Sequence, residues 1–285
     1  MSTDTPNNAT RQKMVDRVRG LLRMAEDPSV TDEESQAFTA KAAELMTRHA
    51  IAEAEARAER GEEPEAISRM DFPVSGVGGH GKARVKALGA VAAAYGCQAA
   101  VRGNTSASTE RTLIIVGTNT ALDALRVLLP SISMRMESSA RFCAREHIAS
   151  IRALRNTDRS QLATERSRYY RSFLRAYGFA VAQRIKEFRA RLREGADGAG
   201  DPEERTDAGG EEQAETSSRG AELVLREDVH RVQEEFQERF GQLNPTKPER
   251  THHRAGARAG YLRGRSVELG IGTSVGSGGG NALPE

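Results

Sequence analysis

Apolar residues along most of this chain recur at helical spacing, and the places where they stop mark element boundaries. Met14, Val18, Leu21, Leu22 and Ala25 fall on one side of a helix, which Asp27-Pro28-Ser29 closes. Thr31 then precedes Glu34 by three residues, the capping-box spacing in which each side chain satisfies a free backbone N–H at a helix start. Phe38, Ala42, Leu45 and Met46 carry a second stripe, and polar helical sequence continues toward Gly61. Neither stripe can be buried by its own helix, so the spacing predicts an antiparallel helical hairpin.

The period changes beyond Gly61. Ile67, Met70, Phe72 and Val74 approach strand alternation, and Pro73, which cannot donate to a ladder, predicts an edge position. A glycine-rich loop leads into an alanine-rich helix running to Tyr95 and ended by Gly96. Gln98–Arg102 and Thr112–Val116 flank a Gly-Asn-Thr-Ser turn and predict a β-hairpin. Thr118 or Asn119 caps a helix to Leu129, where Pro130 predicts a kink or restart before helical pattern resumes to Leu154. After a polar break at Asn156–Gln161, the residues Tyr169, Tyr170, Phe173, Leu174, Tyr177, Val181, Ile185, Phe188 and Leu192 mark the most strongly amphipathic helix. Leu223-Val224-Leu225 predicts one more strand, followed by a helix through Val229, Val232, Phe236 and Phe240.

The expected fold class is α+β, mainly helical, in five parts. Residues 1–62 form a helical hairpin module. Residues 63–194 form an α+β domain with a small sheet packed by long Arg-rich helices. Residues 195–220, acidic, Gly-rich and nearly free of apolar side chains, form a disordered linker. Residues 221–270 hold a returning strand and helix and a basic segment punctuated by glycine. Residues 271–285 form a disordered tail.

Several stretches carry a family resemblance. KMVDRVRGLLRMAEDP, EES and AFTAKAAELMTRHAI, with Leu21, Leu22, Ala25, Glu34, Ala42, Leu45, Met46 and Ile51, resemble an uncharacterised bacterial and phage family, "domain of unknown function 2786". AYGCQ, TLIIVGTNTALDALRVL and SFLRAYGFAVAQRI look like that family's usual companion domain. AGARAGYLRGRSVELG is similar to the Gly-punctuated tail of some members. The resemblance implies one composite unit and no settled activity.

Composition narrows the function classes. Hydrophobic residues are 38% of the chain, aromatic residues 5%, charged residues 29%, and there is no Trp, a thin core supply that suits amphipathic helices with solvated connectors. Cys97 and Cys143 lack Cys-x-x-Cys spacing, and no apolar run approaches the roughly 20 residues that cross a bilayer, so a cytoplasmic protein without membrane association is expected. Net charge is only +2, but its distribution is uneven. Met134–Glu194 holds 15 Lys or Arg against 6 Asp or Glu; Gly195–Ser217 holds 8 acids against 1 base; Lys247–Arg265 holds 6 bases against 1 acid.

Candidate catalytic chemistry fails residue by residue. The loop Gly76-Val77-Gly78-Gly79-His80-Gly81-Lys82 fits two phosphate-binding templates, with Gly76, Gly81 and Lys82 as the candidates for a nucleotide site. In the triphosphate version, however, Ala83 stands where a magnesium-binding hydroxyl is needed. In the dinucleotide version, Asp71 and Pro73 interrupt a strand that should be continuously apolar. Gly272-Thr273-Ser274-Val275-Gly276 matches a nucleophile elbow without the flanking strand and helix. His252 and His253 are adjacent, so their rings diverge, and His49, His80, His147 and His230 are isolated; no metal site, cofactor or catalytic residue is expected. The paired acids Glu203-Glu204 and Glu211-Glu212 fall in the linker.

What remains is arginine. Arg141, Arg145, Arg152 and Arg155 crowd one helix, and Arg166, Arg168, Arg171, Arg175, Arg184 and Arg189 the next. Guanidinium groups match phosphate geometry and release counterions on binding it. The leading expectation is a non-enzymatic accessory protein that binds DNA or RNA through these helices. The alternatives are a protein–protein adaptor with the acidic linker as spacer and a nucleotide-binding enzyme built on the 76–82 loop. Gly256, Gly260 and Gly264, four apart, predict either a closely packed helix or a flexible basic arm.

Overall fold

A capping box at Thr31 opens the second helix, with Thr31 Oγ1 accepting from the Glu34 N–H and Glu34 Oε2 accepting from the Thr31 N–H at 3.0 Å. Gly61, at φ 58°, closes it in the left-handed conformation. These signals bound α2 (Asp32–Arg60), which follows α1 (Pro6–Glu26), and the hairpin joins Val18 and Leu22 to Ala42, Ala43 and Met46 in the core. In the computed structural model, the residues described are 6–27, 29–61, 63–76, 78–103, 110–154, 158–195, 210–241, 243 and 253–266.

The remaining elements are β1 (Ile67–Ser75), α3 (Gly78–Ala94), β2 (Gln98–Arg102), β3 (Glu110–Thr118), α4 (Asn119–Leu154), α5 (Arg159–Gly195), α6 (Gly210–Phe240) and α7 (Arg254–Arg265). The chain is mainly helical, with one antiparallel sheet ordered β1-β3-β2. The most apolar run, Leu113–Val116, takes the central strand, where Met70 and Ala99 both stand opposite Ile115. β1 is an edge, as Pro73 predicts.

Three helices run side by side and parallel. A Cβ on Gly178 of α5 would collide with Ala87 of α3, while Arg189 of α5 reaches the carbonyl of Ala94 at the end of α3. On the other side of α5, Gly256, Gly260 and Gly264 of α7 meet the backbone of Tyr169, Phe173 and Tyr177 in the same order. The buried stripe of α5, including Phe173, Leu174, Tyr177, Val181 and Ile185, joins the same core cluster as α3, α4 and the hairpin.

Two expectations change and two open alternatives narrow. Leu223–Leu225 is helical, because α6 runs through it, so the only strands among the described residues are β1, β2 and β3. Residues 210–220, expected in the acidic linker, are the start of α6, while residues 196–209 lie outside the described residues, as do the tail at 271–285 and its Gly272–Gly276 string. Of the two outcomes expected at Pro130, the restart does not occur: α4 continues through it as one element of 36 residues. Pro130 is exposed, and its ring leaves the carbonyl four residues back without its helical donor. The basic arm between 254 and 265 is a helix packed through its glycines.

Candidate nucleic-acid interface

The site begins at the turn between β1 and α3. Gly76 has φ 124°, a conformation that excludes other residues, and a Cβ there would strike the Arg84 guanidinium. Arg84 donates to the Ser75 carbonyl at 2.8 Å and to Glu137 Oε2 at 2.9 Å, and Tyr170 donates a short hydrogen bond to the same carboxylate. Burial pushes the Glu137 carboxyl up, but the bonds from Arg84 and Tyr170 outweigh it, and its pKa falls below the ordinary value. From the central strand, Arg111, only 1% exposed, donates to the Gly76 carbonyl. A Cβ on Gly81 would run into Gly76 and Arg111. Arg84 and Arg111 take up the space beside Gly76 and Gly81, and β1 is an antiparallel edge strand, whereas the dinucleotide template has an open glycine turn fed by a parallel sheet. Gly76 and Gly81 make the turn possible, and Lys82 is free of it.

Beyond the turn, α3 and α5 bring their cations together. His80 Nε2 lies 3.0 Å from Ser167 Oγ, and its ring centroid is 5.3 Å from that of Tyr170. Burial lowers the His80 pKa, and the charges of Arg171 and Arg84 lower it further. Lys86 is lowered by burial, then by Arg175 and Lys82; Arg175 is lowered by burial, then by Arg171. Lys86 thus feels the charges of Lys82 and Arg175, Arg175 feels that of Arg171, and the Arg171 guanidinium lies against Gly79 at the start of α3. Arg168, exposed, precedes Arg171 by three residues and Arg175 by seven, which puts it on the same helical stripe. Among the described residues no carboxylate forms a salt bridge with Lys82, Lys86 or Arg168.

The other arginines singled out by the sequence go elsewhere. Arg141 is exposed 3.9 Å from Glu137, at the rim of this patch. Arg145 and Arg152 are exposed on α4, and Arg155 lies outside the described residues. Arg166 is exposed but, two residues from Arg168, points to the opposite side of α5. Arg184 donates to the Arg265 carbonyl and Arg189 to that of Ala94 at 2.7 Å, so both serve to cap the ends of neighbouring helices. Lys86 was not among the sequence candidates; it shows only once α3 is set against Arg175.

A second cluster had no sequence signal. His147 of α4, Glu165 of α5 and His253 before α7 converge, with ligand-capable atoms all within 4.8 Å of one another. His253 Nε2 lies 2.6 Å and His147 Nε2 3.2 Å from Glu165 Oε1. The Gly256 N–H donates to His253 Nδ1 at 3.0 Å, so in the neutral ring the proton sits on Nε2 and is given to Glu165. A ligating histidine holds its proton on the nitrogen away from the metal, and here that nitrogen is an acceptor. The cluster is therefore a hydrogen-bonded clasp that seats the start of α7, and the Tyr169 ring stacks on His147 with centroids 4.4 Å apart. Neither thiol offers a nucleophile: burial pushes Cys97 up to about 12 and raises Cys143.

The hairpin matches a known family model. Residues 13–53 match the model of a family described as Protein of unknown function (DUF2786). No curated protein matches the chain, and no solved structure does. The DUF2786 segment covers α1 from Lys13 and most of α2, and it stops before the β1–α3 turn. Through Val18, Leu22, Ala42, Ala43 and Met46 it shares one core cluster with α3 and α5, so it acts as packing support for the cationic helices.

Proposed function

We propose that this protein is a non-enzymatic accessory factor that binds the phosphate backbone of nucleic acid on the face formed by α3 and α5. One observation carries the reading: Arg171 of α5 lies against Gly79 at the start of α3, and beside it Lys86 and Arg175 have their charged forms disfavoured by burial and then by neighbouring cations. Such crowding costs folding free energy and is relieved by a polyanion, which also gains by releasing its condensed counterions. Gly178 packed against Ala87 fixes the two helices against each other, so presenting these cations needs no rearrangement of the backbone on binding.

The test is a binding titration over a series of salt concentrations. If four phosphates are engaged, log Kd against log salt changes with a slope of magnitude about 3.6 on duplex DNA or about 2.8 on a single strand. Replacing Lys82 and Lys86 by Gln reduces the magnitude by about 1.8 on duplex. Absence of binding at low salt, or an unchanged slope in that variant, removes the proposal.

A further inference from the structure

We infer that the nucleic acid taken by this face is single-stranded, with a base stacked on Phe179 at the seam between α5 and α7; this rests on the nucleic-acid reading above. Phe179 is 57% exposed, whereas Tyr169, Tyr170, Phe173, Tyr177 and Phe188 of the same helix are all buried. It falls outside the apolar stripe, so the core gives no reason for an aromatic at this place. Its position is one turn beyond Arg175 and two turns before Lys186, which is also exposed. Arg168, Arg175, Phe179 and Lys186 form one row along roughly 27 Å of helix, given 1.5 Å of rise per residue. One turn further, Gln183 Oε1 lies 3.5 Å from the hydroxyl of Tyr261, 37% exposed on α7. A second ring therefore borders the same row.

Cations that track a backbone, set beside exposed rings, are the two parts of a single-strand site, because a base in a duplex has both faces occupied by its neighbours and cannot stack on a side chain. A duplex would use the cations and gain nothing from Phe179. The row is a helix surface without a protruding reading element, so sequence preference is expected to be weak, as stacking is available to every base.

The experiment uses the full chain and three labelled probes with the same number of phosphates: oligo-dT, an abasic strand and a duplex. Oligo-dT is expected to bind more tightly than the abasic strand. Phe179→Ala should weaken oligo-dT binding about 5- to 150-fold, the loss of one stacked base, while leaving the abasic strand, the duplex and every salt slope unchanged. Phe179→Trp should restore the affinity. Since Phe179 is exposed, thermal unfolding of the variants serves as the control for folding. Equal binding of oligo-dT and the abasic strand, or no effect of Phe179→Ala, overturns the single-strand inference and leaves the backbone reading standing. Failure of all three probes to bind at low salt overturns both.

Discussion

Glu165 is the residue on which the seat of α7 turns. It accepts from His253 and His147 through the same oxygen, and the bond from His253 leads in holding its carboxyl below the ordinary value of 4.5. Since the folded-state pKa is depressed, the stabilisation is complete above the unfolded value and is lost as pH falls through the folded one. Between those two values the unfolded chain takes the proton first. Glu165→Gln should therefore cost about 1 kcal/mol at neutral pH, the scale of one such hydrogen bond at a partly solvated site. It should also flatten the decline of the urea midpoint below pH 4.5 relative to the parent protein. An acid limb identical in both proteins counts against this role. The clasp is not legible in the sequence because its three members are distant along the chain, and the adjacency of His252 and His253 argues only that those two rings diverge from each other. His252 lies outside the described residues, and His253 finds its partners on two other helices.

Periodic spacing carried most information for the elements, up to the point where short runs became ambiguous. Leu223-Val224-Leu225 is three residues long, too short to distinguish a period of 2 from one of 3.6, and α6 claims it because helical sequence continues on both sides. The capping box, the Gly61 stop, the edge strand and the β2–β3 hairpin were all legible, since each depends on backbone chemistry within a few residues. The recurrence of glycine at 256, 260 and 264 was legible as a pattern with two meanings, and only the packing partner decides between them. A Cβ at Gly260 would approach backbone atoms of Phe173 more closely than 3.0 Å, and main chain cannot move aside as a side chain can. Gly260→Ala should thus destabilise by about 1–3 kcal/mol, the range for overpacking, and loosen α7 from α5. Gly20→Ala is the matched control: nothing lies within 4 Å of a Cβ there, and the exchange in mid-helix should stabilise by about 0.5–1 kcal/mol. Opposite signs in denaturant unfolding are the expected outcome; a neutral Gly260→Ala would contradict the close parallel packing.

At the scale of the whole molecule the near-neutral total conceals a cationic face and, in the same chain, a strongly acidic segment. The excess of bases between Met134 and Glu194 was countable from the sequence, but which of them share a surface was not, because that depends on helical phase and on which arginines are spent capping neighbouring helices. Residues 196–209 carry Asp197, Asp201, Glu203, Glu204 and Asp207 against the single base Arg205, and they join the end of α5 directly to the start of α6. A tethered anionic segment competes with free polyanion at an effective concentration of about millimolar. Replacing those five acids by Asn and Gln keeps the length of the connection and removes the competitor. Affinity for oligo-dT should then rise several-fold at 10 mM salt, where charges act over about 30 Å, and the gain should fade at 150 mM, where the range is about 8 Å. A gain that persists unchanged at high salt would point to a contact other than charge, and no gain at low salt would show that the segment stays clear of the face.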